Sequence, residues 1–316
     1  MPLIIVAAFL VIMMAGCTPP VHDSRLIAAH ELIAKSPKEA LDSLGRINRS
    51  GLSESDSHYL DFLTIKATDK AYLPHSSDST ILEVIAYAES HRREGYYPEA
   101  LYYGGRVYSD LGDYPTALDY FHQALDLLPP DTKDQELRSR IVSQIGSLLN
   151  TLRLYDEAIP YINESLLYSK QTNDTIGEVL DLQLLGLTYM RAKHWDMAGY
   201  HLKLALELSQ RIEVSGSPHR AKSKMLLAAV KRQLGQTDSA LFYIRNTLDS
   251  VKPIVRNNVL AHGAQIYWQA GIWDTAYFYA YQLIHSPMLL NQKIGYEMIF
   301  LDSVIKYVPG LINFLC

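Results

Sequence analysis

The chain has 316 residues, of which 48% are apolar and 20% are charged, a balance that is ordinary for one large or two medium-sized globular domains. Its net charge is −5, with Lys and Arg scattered along the chain, and the lack of a basic stripe argues against nucleic acid as a partner. Two cysteines are too few for a disulfide framework or a metal cluster.

The N-terminus opens with an apolar run from Leu3 to Met14. This run is too short to span a bilayer but fits the apolar core of a signal peptide. The sequence Met14-Ala15-Gly16-Cys17 that follows resembles the lipobox of bacterial lipoproteins. The resemblance implies that residues 1–16 are removed and that Cys17 carries the lipid.

Residues 17–23 would then form a short tether, stiffened by Pro19 and Pro20. A signal peptide normally begins with Lys or Arg, and here none precedes Arg25. A start further upstream, or an ordinary buried helix in place of a signal, therefore stays open.

Two pairs of helices are predicted next. Residues 26–47 show helical spacing interrupted at Ser36-Pro37, which is a typical opening for a second helix, with Ala40 as the packing residue. Residues 55–73 and 79–94 form a further pair. We find no strand alternation long enough to predict a sheet.

The middle of the chain repeats one skeleton five times, in segments 105–127, 146–168, 186–208, 228–250 and 264–286. Each segment opens with a small residue: Gly105, Gly146, Gly186, Ala228 or Ala264. Twelve residues later comes an alanine: Ala117, Ala158, Ala198, Ala240 or Ala276. Small side chains at these two positions allow two helices to pack closely.

This skeleton resembles the tetratricopeptide repeat (TPR) family, whose unit is a helix–turn–helix. The resemblance implies an all-α fold, a right-handed α-solenoid of about seven hairpins over residues 24–308, with the best-matching units in 98–287. Residues 289–308 resemble the first helix of another unit, and Pro309-Gly310 would end it. Residues 309–316 would form a short tail, which indicates a truncated chain or an end that docks on a partner.

A catalytic site is not predicted. His194 and His201 are separated by a turn between helices, and the carboxylates of 131–136 lack the spacing of a calcium loop. No phosphate-binding loop and no nucleophile motif occurs. We therefore expect no enzyme activity, no cofactor and no metal.

The TPR resemblance implies a binding groove on the first helix of each pair. Carried over residue by residue, the groove positions are Tyr102, Arg106, Ser143, Gln144, Ser147, Asn150, Gln183, Leu187, Met190, Arg191, Met225, Arg232, Gln265, Trp268 and Gln269. A surface of this composition suits an extended peptide, although a solvated helix face is the alternative. The Lys and Asn pattern of carboxylate-clamping TPR domains is absent, because Tyr102 and Arg106 occupy those places in the first good unit.

Aromatic residues are dense between Tyr267 and Tyr281. Trp273 and Tyr277 occupy core-type positions, whereas Trp268, Phe278 and Tyr281 are harder to bury together. We expect a core seam here rather than an exposed patch.

The favoured function is a membrane-anchored TPR scaffold that binds a peptide or protein and is not catalytic. Its expected location is the envelope of a Gram-negative bacterium, facing the periplasm, with the membrane contacted through the lipid anchor. One alternative is the sensory region of a truncated membrane-bound transcriptional regulator. The other is a glycan-binding lipoprotein, which the lack of long inserted loops disfavours.

Overall fold

Fourteen α-helices make up most of the part of the chain that the computed structural model describes, residues 22–212, 218–248 and 253–284. The first helices of the hairpins are α1 Ser24–Ile33, α3 Glu54–Lys70, α5 Tyr97–Leu111, α7 Gln135–Thr151, α9 Thr175–Arg191, α11 Pro218–Gln233 and α13 Pro253–Gln269. The second helices are α2 Pro37–Gly45, α4 Ser79–Ser90, α6 Tyr114–Asp126, α8 Tyr155–Gln171, α10 Trp195–Ile212, α12 Thr237–Leu248 and α14 Trp273–Leu283. Two 3₁₀ turns, Arg49–Gly51 and Arg92–Glu94, lie between hairpins.

The prediction of an all-α fold built from about seven hairpins is confirmed for these residues, which contain no β-strand. Ser36 lies at the N-cap of α2 and Pro37 in its first turn, as predicted. The handedness of the array and the segment boundaries at residues 16, 23 and 308 stay predictions. The signal peptide, Cys17, residues 289–308 and the tail all lie outside the described residues.

The contacts divide the chain into two compact units, with the boundary between Leu148 and Leu149 in α7. In the first unit each helix from α1 to α6 packs on the next, and α1, α3 and α5 also contact one another in order. In the second unit each helix from α8 to α14 packs on the next, and the first helices α9, α11 and α13 also contact one another in order. First helices therefore lie side by side within each unit.

The repeated small residues explain why the paired helices approach so closely. The five alanines of the skeleton (Ala117, Ala158, Ala198, Ala240 and Ala276) are all fully buried. A Cβ built on Gly105 of α5 would lie 2.5–2.7 Å from three ring carbons of Phe121 in α6. Gly186 of α9 meets Leu202 of α10 in the same way. Phe121 and Leu202 stand four residues after the skeleton alanines, so the small-residue crossing recurs in two hairpins.

The turn inside each of the last five hairpins uses one left-handed residue, seven positions after the opening small residue. Three of these residues are glycines with φ of 72–80° (Gly112, Gly235 and Gly271). The other two are Arg153 and Lys193, with φ of 67° and 64°. A left-handed backbone strains a residue that carries a Cβ, so these two turns hold conformational strain that the glycine turns avoid.

Candidate functional site

Side chains bridge neighbouring first helices of the first unit at Arg106. Its Nε donates to Asp69 Oδ1 of α3 at 2.7 Å, and its Nη1 donates to Gln144 Oε1 of α7 at 3.1 Å. Desolvation is the largest single contribution to the pKa of Arg106, which is half-buried, and it acts to lower that pKa. The charge of Asp69 and its hydrogen bond act in the opposite direction, and the net result is a raised pKa. Arg106 thus joins three consecutive first helices through a compensated charge.

A second bridge in the same unit surrounds Glu99 of α5. Lys66 Nζ lies 3.0 Å and Arg140 Nη1 lies 3.5 Å from Glu99 Oε1. The Arg140 guanidinium also stacks 4.4 Å from the centroid of the Tyr102 ring and donates to Tyr103 Oη at 3.2 Å. Burial raises the pKa of both tyrosines. Both cations of this cluster are therefore already paired with a carboxylate.

A cavity of about 360 Å³ opens beside this cluster, against Tyr59, Phe62 and Tyr96. His30 lies on its wall, with Nε2 at 2.9 Å from Lys66 Nζ and Nδ1 at 2.8 Å from Tyr59 Oη. Since the Lys66 ammonium can only donate, His30 Nε2 accepts, and Nδ1 carries the proton given to Tyr59. Burial, followed by the Lys66 charge, lowers the pKa of His30, which keeps this ring neutral and in a fixed tautomer.

Hydrogen bonds to uncharged acceptors join the first helices of the second unit. Gln183 Nε2 of α9 donates to Ser223 Oγ and to the His219 carbonyl oxygen, each at 2.8 Å. Arg191 Nη1 donates to the Asn150 carbonyl oxygen at 3.3 Å, and Arg232 Nη1 of α11 donates to Gln265 Oε1 of α13 at 3.1 Å. The guanidinium groups of this face thus meet amide oxygens rather than carboxylates.

The predicted groove residues separate into three classes of exposure. Four are buried (Tyr102, Asn150, Gln183 and Met225) because neighbouring first helices cover them. Nine are half-buried: Arg106, Ser143, Gln144, Ser147, Leu187, Met190, Arg232, Gln265 and Trp268. Arg191 and Gln269 are exposed. The structure brings Arg106 to Gln144, Arg191 to Asn150, and Arg232 to Gln265, and the four buried side chains lie within the packing between helices.

The sequence prediction did not include Lys222 of α11 and His262 of α13, which lie on the two helices that carry Arg232 and Gln265. The sequence signal for these residues is the local charge of two helices. Helices α11 and α13 carry six Lys and Arg residues and no Asp or Glu, a bias hidden in the net charge of −5 for the whole chain. The impression of evenly scattered charge is therefore wrong for these two helices.

The prediction of a buried aromatic seam near the C-terminal end is wrong for three residues. Tyr277, Phe278 and Tyr281 of α14 are 37%, 59% and 49% exposed. Tyr267 is buried and packs edge-on against Tyr279, with ring centroids 5.3 Å apart. The aromatic side chains of α14 outnumber the positions that face α13, so some of them point outward.

One buried carboxylate in the second unit has no cationic partner among the residues that the structure describes. Asp181 of α9 is 4% exposed and accepts hydrogen bonds from Ser165 Oγ at 3.0 Å and Ser169 Oγ at 2.9 Å. Burial raises the pKa of Asp181 to about 6, and the two hydroxyl groups oppose this shift. The site is a buried polar contact between α8 and α9, on the helix that also carries Gln183.

No group of three His, Cys, Asp or Glu side chains suited to a metal ion occurs in the described ranges. None of the helices between residues 22 and 284 that the structure describes is both long enough and apolar enough to cross a membrane.

No family model matches the sequence. No curated protein matches it significantly either.

Solved structures, by contrast, show clear similarity of fold. A Rap protein complexed with competence and sporulation factor superposes with a TM-score of 0.60 and 14% identity, over 89% of this chain and 87% of that one. NprR in complex with its cognate peptide NprX gives 0.58 and 11%, over 90% of this chain and 82% of that one. PilW, a type IV pilus biogenesis factor, gives 0.54 and 18%, over 75% of this chain and 98% of that one. At such identities the similarity shows the fold alone: this all-α chain is structurally similar to TPR-repeat proteins.

Proposed function

We propose that the chain is a non-catalytic, TPR-type scaffold that binds a peptide or protein segment on the faces of its first helices. Two structurally similar proteins, the Rap protein and NprR, were crystallised with competence and sporulation factor and with the peptide NprX. These complexes support peptide binding as the function of this fold here.

The observation that carries the proposal is the chemistry of the first-helix face in the second unit. Leu187, Met190 and Trp268 leave apolar surface partly exposed, and Arg191 and Gln269 are exposed polar groups beside them. The Nε of Arg232 is buried and has no hydrogen-bond partner. Apolar surface beside exposed guanidinium and amide groups suits an extended peptide, which offers both a polar backbone and side chains.

We further propose that the scaffold is anchored through lipid on Cys17 and faces the periplasm of a Gram-negative envelope. The support is the sequence Met14-Ala15-Gly16-Cys17 after an apolar run. Acyl chains on one cysteine would hold the protein at the membrane, since each buried methylene contributes about 0.8 kcal/mol.

Site-specific photocrosslinking in the cells that make the protein tests the binding face. A photoreactive residue replaces Leu187 or Gln269 on the first helices, and Glu207, exposed on the second helix α10, is the control position. We expect the same protein or peptide to be captured from 187 and 269 and not from 207. A synthetic copy of the captured segment should then bind the purified chain. Equal capture at all three positions, or at none, contradicts the proposal.

A further inference from the structure

The first helices α11 and α13 have an unusual charge. Helix α11 contains Arg220, Lys222, Lys224, Lys231 and Arg232, helix α13 contains Arg256, and neither contains an acidic residue. Helices α3 and α5 differ, because their Lys and Arg residues are accompanied by Asp and Glu. Arg220, Lys224 and Arg256 donate to carbonyl oxygens of the second helices α10 and α12, so the positive charges of Lys222 and Arg232 are the ones left to attract an anionic ligand.

Arg232 is the clearest case of a cation without compensation. Its Nη1 donates to the neutral oxygen of Gln265 at 3.1 Å, its Nε is buried without a partner, and no ion pair joins it to a described residue. Burial lowers the pKa of this guanidinium. Arg106, in contrast, has Asp69 Oδ1 at 2.7 Å. A half-buried guanidinium gains most from a carboxylate, which accepts two of its hydrogen bonds at once.

His262 places a second donor beside Arg232. It lies three residues before Gln265, so the two side chains share one face of α13. The ring is half-buried and forms no hydrogen bond with a described residue. Burial, and then the charge of Arg232, lowers its pKa. A bound carboxylate would therefore meet Arg232 and His262 together.

Lys222 extends the site along α11. It stands ten residues before Arg232, about 15 Å away along the helix axis and about 80° away around it. The side chain is exposed, and desolvation by the surrounding protein lowers its pKa. A separation of about 15 Å corresponds to four or five residues of an extended peptide.

We infer that the α11–α13 face binds an acidic peptide segment, with one carboxylate at Arg232 and His262 and another near Lys222. This inference rests on the proposed peptide-binding function and adds the charge of the ligand. The shared chemistry is the carboxylate group, which comes from Asp or Glu side chains or from the end of a chain.

The test uses three hexapeptide probes and the full chain. The first probe is acetylated, amidated hexaglutamate, the second is the matched hexaglutamine, and the third is acetylated hexaglutamine with a free C-terminal carboxylate. Fluorescence anisotropy measures binding to the wild type, to Arg232→Gln, to Lys222→Gln and to the control Lys231→Gln. Lys231 is bonded to Gln236 at 2.7 Å and its replacement changes the net charge equally.

We expect hexaglutamate to bind and hexaglutamine not to bind, with affinity for hexaglutamate reduced about tenfold by Arg232→Gln, less by Lys222→Gln, and little by Lys231→Gln. Binding that needs the glutamates supports the inference, whereas binding of the free-carboxylate probe alone would locate the recognition at a chain end and would overturn the inference of two carboxylates. The NMR titration of His262 should shift to higher pH when the acidic probe is bound, because a nearby anion favours the protonated ring.

Equal binding of hexaglutamate and hexaglutamine overturns the acidic preference and leaves peptide binding standing. Equal losses for all three charge-removing variants would indicate non-specific attraction and would also overturn the inference. Tighter binding of a twelve-nucleotide single strand than of hexaglutamate would assign the face to nucleic acid instead. If none of the peptides binds, while the segment captured by crosslinking binds with no effect of Arg232→Gln, only this inference fails. If that segment does not bind either, both proposals fail.

Discussion

Gly105 in α5 lies directly against the aromatic ring of Phe121 in α6, so closely that a Cβ on the glycine would be 2.5 Å from Phe121 Cε1. Phe121 is itself fully buried. The absence of a side chain at residue 105 is therefore a requirement of the hairpin.

Gly105→Ala is expected to lower the free energy of unfolding by about 1–3 kcal/mol, because overpacking a dense contact displaces the ring or the helix. Chemical denaturation followed by circular dichroism measures the change. Gly45→Ala is the matched control, since a Cβ there meets nothing within 4 Å. Identical midpoints for the two variants would show that the close crossing is not needed.

Lys193→Gly is expected to stabilise the chain by roughly 0.5–1 kcal/mol, because glycine removes the strain of a left-handed residue at some entropic cost in the unfolded state. The turn at Lys193 has φ of 64°, and the equivalent turns at Gly112 and Gly235 already use glycine. Lys193→Ala keeps the Cβ and should bring no such gain. Thermal unfolding of the two variants measures the difference, and an alanine variant as stable as the glycine one would argue against strain.

Asp181→Asn is expected to raise stability at pH 7.5 and to lose this advantage near pH 4.5. Since burial raises the pKa of Asp181 to about 6, the folded chain binds a proton more readily than the unfolded chain. The native carboxylate therefore costs stability above pH 6, and this cost disappears as the pH falls toward the unfolded pKa near 4. The size of the effect is at most about 3 kcal/mol.

Urea denaturation at pH 7.5 and pH 4.5 measures the difference in stability between Asp181→Asn and the wild type. Glu207→Gln, at an exposed position on α10, removes the same charge and serves as the control. An asparagine variant that is less stable than the wild type at pH 7.5 would mean that the two serine hydroxyls fully compensate the buried charge.

Cys17→Ser is expected to move the protein from the membrane fraction to the soluble fraction of the cells that make it, because the variant lacks the acceptor for the acyl chains. Immunoblotting of the separated fractions measures this change, and mass spectrometry of the N-terminal peptide checks for the lipid. Cys316→Ser replaces the other cysteine of the chain and should stay at the membrane. A Cys17→Ser protein that sediments with membranes would contradict lipid anchoring.

The hairpins were predictable from sequence because their physical requirement is local and repeats. A small residue must stand at each crossing, and Gly105 and Ala117 recur at fixed spacing in the other units. The same reasoning predicted the second helix after Ser36-Pro37. Such features depend on neighbours within about twenty residues, which one sequence displays directly.

The binding face was harder to predict because it depends on how first helices cover one another. Helical spacing put Gln183 and Arg191 on one face, but α11 covers the former and leaves the latter exposed. Likewise, α14 has more aromatic residues than α13 can cover, which leaves Phe278 outside. Contacts between helices about forty residues apart decide these outcomes, and periodicity within one helix carries no information about them.

The buried amide of Gln183 has a consequence for how the chain avoids mispairing. A protein made of similar hairpins faces the danger that a helix docks beside the wrong neighbour, since most of the apolar contacts would be much the same. Gln183 Nε2 donates to the Ser223 hydroxyl and to the His219 carbonyl oxygen of α11. Gln183 Oε1 is already buried without a partner, and docking beside a helix that offers no acceptor would leave Nε2 unpaired as well, at a cost of about 1–3 kcal/mol. The hydrogen bonds of Gln183 thus favour α11 as the neighbour of α9, where apolar contacts alone would distinguish poorly between helices.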